Sequence, residues 1–104
     1  MDYKNFGKIP ERMHGGLIRW VENGIVPGGF LCGLLTNDLR EAVLRADNEN
    51  VDLLADYVRY LYNNTPSGCW GSVEKFNTWQ LHRGLAGLGA YYAAKADAAA
   101  QRKV

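Results

Sequence analysis

Two short glycine-rich runs stand directly ahead of helical stretches, and they hold the residue types best suited to gripping an anion. The first is Pro27-Gly28-Gly29-Phe30. Adjacent glycines bring consecutive backbone N–H groups close to a ligand, and the helix start adds positive potential, a combination that binds phosphate or carboxylate. The second is Ser67-Gly68-Cys69-Trp70-Gly71-Ser72. There Trp70 offers a face on which a base can stack while Ser72 and backbone amides hold a phosphate. The same residues also satisfy purely structural roles. Glycine supplies positive φ in a tight interhelical turn, Trp70 fills a core, and Ser72 caps a helix.

Arginine dominates the basic residues: Arg12, Arg19, Arg40, Arg45, Arg59, Arg83 and Arg102. Its planar fork matches phosphate and stacks on rings better than lysine does. Tyr60 follows Arg59 and falls off the apolar stripe of its helix, so this pair faces either a ligand, a partner or plain solvent. The candidate ligand-binding set is therefore Arg12, Gly28, Gly29, Phe30, Arg59, Tyr60, Gly68, Trp70, Gly71 and Ser72.

Catalytic constellations find little support. A nucleophile needs a base beside it, and the two serines, Ser67 and Ser72, share one loop. Cys69 with His14 or His82 carries no flanking signature of a thiolate pair. Asp52 and Asp56 fall on the wet side of an amphipathic helix. Neither a phosphate-binding G-x-x-x-x-G-K-[ST] loop nor a strand-bound G-x-G-x-x-G is present. His14, Cys32, Cys69 and His82 lack the paired spacing of zinc ligands. The expectation is a binding protein with no enzymatic activity, no cofactor and no metal. Cys32 lies in an apolar run and reads as a small core residue, Cys69 as the more exposed thiol, and no disulfide is expected between them.

The elements that must position these residues are helical. Pro10 suits a first turn and Gly24 the position past a last one, with Met13, Leu17, Trp20 and Val21 at three- and four-residue steps between them. Gly15-Gly16 costs this helix roughly 1 kcal/mol per glycine relative to alanine, so either another backbone packs there or the helix starts after Gly16. Residues 30–45 form one helix or two, with Leu39, Ala42 and Val43 on one side. Asp47-Asn48-Glu49-Asn50 opens a stretch with Val51, Leu54, Tyr57, Val58 and Leu61 on its stripe, closed by Asn63-Asn64-Thr65-Pro66. Ser72 caps a helix lined by Phe76, Trp79 and Leu81. Eight alanines in the last 21 residues predict a helix from about Leu85 to Ala100. Its thin apolar face (Leu85, Leu88, Tyr91, Tyr92) suggests docking on another subunit, hence a homo-oligomer.

The fold class is all-α: four or five helices joined by glycine-rich loops. The 104 residues suit one domain, with 1–8 a flexible N-terminus and 85–104 an alanine-rich C-terminal helix. A net charge of +1, from 12 basic and 11 acidic residues, argues against a strongly basic nucleic-acid coat. No apolar run approaches the roughly 18 residues of a membrane span, and the opening residues show no apolar signal region. No membrane partner and a cytoplasmic location follow as expectations.

Ile9-Pro10-Glu11-Arg12-Met13-His14-Gly15-Gly16-Leu17, Asn23 to Leu31, Asn37-Asp38-Leu39-Arg40-Glu41-Ala42, Tyr60-Leu61-Tyr62-Asn63 and Gly68-Cys69-Trp70-Gly71-Ser72 together resemble a family of short proteins encoded by tailed phages and prophages. The resemblance covers about residues 9–80 and leaves out the alanine-rich end. It implies an accessory protein acting in the cytoplasm of an infected bacterium, and such proteins are often counter-defence factors. The leading expectation is sequestration of a phosphate-bearing small ligand, such as a cyclic nucleotide immune signal, by both glycine loops. The alternatives are a protein–protein inhibitor of a host defence complex, resembling an anti-CRISPR, and a phage structural or packaging accessory protein.

Overall fold

The structure is a computed structural model that describes residues 2–101, with side chains described as far as Asp97. The described residues form seven α-helices: α1 (Glu11–Asn23), α2 (Gly29–Leu35), α3 (Leu39–Arg45), α4 (Asn48–Val51), α5 (Leu54–Asn64), α6 (Val73–Leu81) and α7 (Gly84–Gln101). A 3₁₀ turn, Ser67–Cys69, separates α5 from α6, and no strand occurs among the described residues. The all-α architecture is as expected, but the helix count is higher. Residues 30–45 divide because Asn37 takes a left-handed φ of 58° and the Thr36 hydroxyl turns back to the Cys32 carbonyl at 2.8 Å. α4 breaks from α5 after Val51, so the stretch read as one amphipathic helix is two.

Helix ends follow the residue chemistry. α1 starts after Pro10 and ends on Gly24 with φ 64°, whose amide returns to Trp20. Asp38, Asp47 and Ser72 cap α3, α4 and α6 by accepting the amides of Glu41, Asn50 and Lys75.

The core gathers Leu17, Trp20, Val21, Leu35, Tyr57, Leu61, Cys69 and Trp79, all but inaccessible to water. Two indoles sew it together. Trp20 donates to the Cys69 carbonyl and Trp79 to the Trp20 carbonyl, each at 2.9 Å, so neither buried N–H is left unpaired. Phe76 stacks on Trp20 with ring centres 4.5 Å apart. Cys69 is thus the deeply buried thiol and Cys32 the half-buried one, the reverse of expectation; both are free. Burial pushes the Cys69 thiol up to about 11.

Two glycine contacts set how helices approach. A Cβ on Gly33 would fall 2.6 Å from the Ala42 nitrogen, so α2 and α3 meet backbone to backbone. Gly24 and Gly84 face each other in the same way: a Cβ on either would lie within 3.0 Å of the other's nitrogen. This second contact seats the start of α7 on the end of α1. Only the first turns of α7, through Leu85 and Leu88, join the core. The helix then runs on with exposed residues, and the molecule is 56 Å long against 25 × 20 Å across. Its radius of gyration, 15.1 Å, exceeds the ~13 Å usual for about 100 residues for that reason.

Several side chains sit elsewhere than expected. Leu39, Val43, Val58 and Leu81 are exposed, and Tyr60 is buried in place of Val58 on the inner face of α5. Residues 2–8 are not a loose terminus. The Tyr60 hydroxyl donates to the Tyr3 carbonyl at 2.6 Å, Asn64 donates to the carbonyls of Asp2 and Asn5, and Phe6 stacks 3.8 Å from His14. These carbonyls need donors and Phe6 needs a surface, and α5 with α1 supplies both.

Candidate functional site

The two glycine loops do not converge. Gly28 lines one groove, Trp70 a second and Gly68 a third. The 67–72 loop engages part of its polar groups internally. Gly71 donates its amide to the Leu35 carbonyl at 2.8 Å, and the Ser72 hydroxyl caps α6. Lys75 Nζ covers the Ser67 carbonyl at 3.3 Å, and Trp70 is half-buried. Of the phosphate cradle expected of Gly68, Trp70, Gly71 and Ser72, the Gly71 amide and the Ser72 hydroxyl are thus already engaged, by the Leu35 carbonyl and the Lys75 amide.

Tyr60 and Phe30 are corrected. Tyr60 is a core residue with its hydroxyl bound to Tyr3, and burial drives its pKa far upward. Phe30 packs edge-on against Tyr57 with ring centres 5.1 Å apart. Arg59 is exposed, 3.9 Å from Asp56, beside a small polar groove with Lys8 and Asn63 that holds none of the glycine-loop residues.

The loop before α2 differs. Gly28 is exposed in extended conformation, with φ −68°, and a Cβ there would meet nothing within 4 Å. The first backbone amide of α2 to find an intramolecular acceptor is that of Cys32, on the Gly28 carbonyl at 3.0 Å. The amides of Gly29, Phe30 and Leu31 have no acceptor among the described residues, as helix geometry requires of a first turn without a side-chain cap. Gly29 has a separate role: a Cβ there would lie 2.7 Å from Arg45 Cδ, so its absence lets Arg45 cross the helix start. Arg45 is held in turn by Glu41 at 2.8 Å. Cys32 lies beneath, its thiol on the Pro27 carbonyl; burial raises its pKa and the Arg45 charge partly opposes this.

The groove beside Gly28 holds about 290 Å³. One wall is α1, with Arg12, Met13, Gly16 and Arg19; the other is Ile25 to Gly28 with Leu31. Arg12, Gly16 and Arg19 recur at i, i+4 and i+7, so they share a helix face, and the glycines between the arginines leave a trough. α1 runs straight through Gly15-Gly16 without a neighbouring backbone at either. Gly16 faces Leu31 Cδ1 at 3.5 Å, and Gly15 leaves the space into which the Arg19 guanidinium folds, 3.0 Å from where a Cβ would be.

The two guanidiniums are not equivalent. Arg12 donates to Glu49 at 2.9 Å and to Asp47 at 2.7 Å, and these bonds raise its pKa. The Asn50 amide, and after it Arg12, holds the Asp47 carboxyl below its ordinary value. Arg19 makes no ion pair among the described residues. Ile25 and Val26 are exposed beside it. The groove thus offers one uncompensated cation, a second shared with carboxylates, and an apolar wall. This suits a ligand with an anionic end and an apolar or flat body. Arg19, Ile25 and Val26 were not singled out from sequence, although the Arg-x-x-Gly-Gly-x-x-Arg spacing of residues 12–19 carries the signal.

No known protein family, curated protein or solved structure matches the chain. Among the described residues no helix is long and apolar enough to cross a membrane.

Proposed function

We propose that the chain is a non-enzymatic binding protein that captures a phosphate-bearing small ligand in the groove between α1 and the 25–28 loop. The observation that carries this reading is Arg19, an arginine without a carboxylate partner among the described residues, standing with Arg12 over an open groove walled by Ile25 and Val26. A phosphate accepts charge-assisted bonds from both guanidiniums, and the body of the ligand covers the apolar wall. Only the first of the two glycine loops takes part. The resemblance to phage-encoded proteins supports a role in counter-defence, with a nucleotide immune signal as the captured ligand.

The test is calorimetry of the full chain against mononucleotides and cyclic dinucleotides. Saturable heat with at least one of them is expected, weakened by Arg19→Ala about 10- to 100-fold, as loss of a hydrogen bond to a charged group implies. Gly28→Val should reduce binding while leaving stability nearly unchanged, because the added side chain enters open space. Absence of heat with every nucleotide would favour inhibition of a host protein instead.

A further inference from the structure

We infer that the groove between α1 and the 25–28 loop selects a singly charged phosphodiester, with the chemistry of a 3′,5′-cyclic mononucleotide, over the doubly charged phosphate monoester. This class follows only if the groove is a phosphate site, and so it rests on the function proposed above. Charge is unevenly placed along the groove. At one end stands Arg12, whose single positive charge is shared between two carboxylates, Asp47 at 2.7 Å and Glu49 at 2.9 Å. That end therefore carries a net negative charge. It still has N–H groups to offer, because a guanidinium has five and only Nη2 engages the carboxylates. At the other end stands Arg19, with no carboxylate at ion-pair distance among the described residues. The facing wall adds no charge. From Gly24 to Leu31 the chain has no ionisable side chain, and Cys32 beneath it is a free thiol turned onto the Pro27 carbonyl. Arg45, from α3, is matched by Glu41 at 2.8 Å. Glu22 is taken by Tyr3 and Lys4, and neither it nor Glu11 lines the groove.

This distribution decides the charge of the ligand. One negative charge set at Arg19 is matched, and a second oxygen of the same phosphate can take an N–H of Arg12 without bringing further charge. A second negative charge finds no other uncompensated cation among the groove's residues. It meets the Asp47 and Glu49 carboxylates instead, and like charges oppose one another as strongly as opposite ones attract. It also costs more to take out of water. A phosphodiester keeps one charge across the neutral range, whereas a monoester loses its second proton near pH 6. Size points the same way. The groove's 290 Å³ lies at the small end of ligand pockets, which span about 300–1,000 Å³, so Ile25 and Val26 have room to cover one base. A cyclic dinucleotide would bring a second phosphate with no second cation to receive it.

The experiment is calorimetry of the full chain with 3′,5′-cyclic AMP and 5′-AMP, and with the corresponding guanosine pair, at pH 7.5 and pH 5.5. With the second proton lost near pH 6, about 3% of a monoester is singly charged at the higher pH and about three-quarters at the lower. The cyclic nucleotide should therefore bind about 10- to 30-fold more tightly than its monoester at pH 7.5, and less than about threefold more tightly at pH 5.5. The ratio within a pair is the readout, so titration of the protein's own groups cancels from it. Glu49→Gln removes one opposing carboxylate at an exposed position and should narrow the pH 7.5 ratio several-fold, with helical circular dichroism unchanged. Glu74→Gln, an exposed acid on α6 outside the groove, should leave the ratio as it is. A monoester that binds as tightly as its cyclic partner at pH 7.5 overturns the inference and leaves the groove a phosphate site. So does a ratio unmoved by pH 5.5 or by Glu49→Gln. Absence of heat from both members of both pairs overturns the groove reading itself, and this inference with it.

Discussion

Gly24→Ala should be among the most damaging single-methyl additions to this molecule, and its cost can be worked from geometry. Gly24 has φ 64°, a left-handed conformation that costs an alanine roughly 1–2 kcal/mol. The new Cβ would also fall 2.8 Å from the Trp79 carbonyl oxygen, 3.0 Å from the Gly84 nitrogen and 3.1 Å from Arg83 Cα. All three are main-chain atoms, so no side chain can swing away, and overpacking of this kind costs roughly 1–3 kcal/mol. The two effects give about 2–5 kcal/mol, a large part of the ~5–15 kcal/mol by which domains are stable. At about 4–8 °C per kcal/mol for a chain near this size, Tm should fall by roughly 10 °C or more. Urea unfolding followed by Trp20 and Trp79 fluorescence measures it. Gly28→Ala is the matched control: φ is −68° and the space is empty, so stability should hold or rise by about 0.4–1 kcal/mol. If Gly24→Ala costs under about 1 kcal/mol, or if the two variants behave alike, the seating of α7 on the end of α1 is wrong.

Gly15→Ala should separate stability from binding: helix propensity raises stability by up to about 1 kcal/mol, while the methyl displaces the Arg19 guanidinium and lowers ligand affinity, both readable by denaturation and calorimetry on one preparation. Alkali should unfold the chain. Burial raises Cys69 from 9.0 to about 11 and Tyr57 from 10.0 to about 12, so the unfolded state releases these protons first and stability, complete below about pH 9, declines toward pH 12. Denaturant midpoints should fall across that window, and Cys69→Ala should move the onset upward; midpoints flat to pH 11 would contradict the burial. Ser72→Ala should cost about 1 kcal/mol by removing the cap on the Lys75 amide, with Ser72→Asp restoring most of it in the same unfolding assay.

The helical class was legible in the sequence because its signals are local. Pro10 and Gly24 frame α1, Ser72 starts α6, and the alanine content builds α7. The tertiary choices were not. Which of Val58 and Tyr60 turns inward depends on the N-terminal residues: the Tyr3 carbonyl, 57 positions away, and the Phe6 ring complete the Tyr60 site. Whether the Gly71 amide stays free depends on Leu35, which no spacing rule connects to it. Of the candidate site, Arg12 and Gly28 share a groove as a ligand would require, and Gly29 lies beside them under Arg45. Arg19 stood in the sequence as one arginine among several, because an unpaired arginine looks like any other until its neighbours' carboxylates are seen to be engaged elsewhere.

The most direct test of phosphate-ligand capture is an amide and arginine side-chain NMR titration with the nucleotide that gives calorimetric heat. The account predicts shifts concentrated at Gly28 to Leu31, along Arg12 to Arg19 and at the Arg19 Nε–H, with the Gly71 and Ser72 signals unmoved. Shifts centred on 67–72, or saturation that leaves Arg19 and Gly28 unchanged, would contradict it.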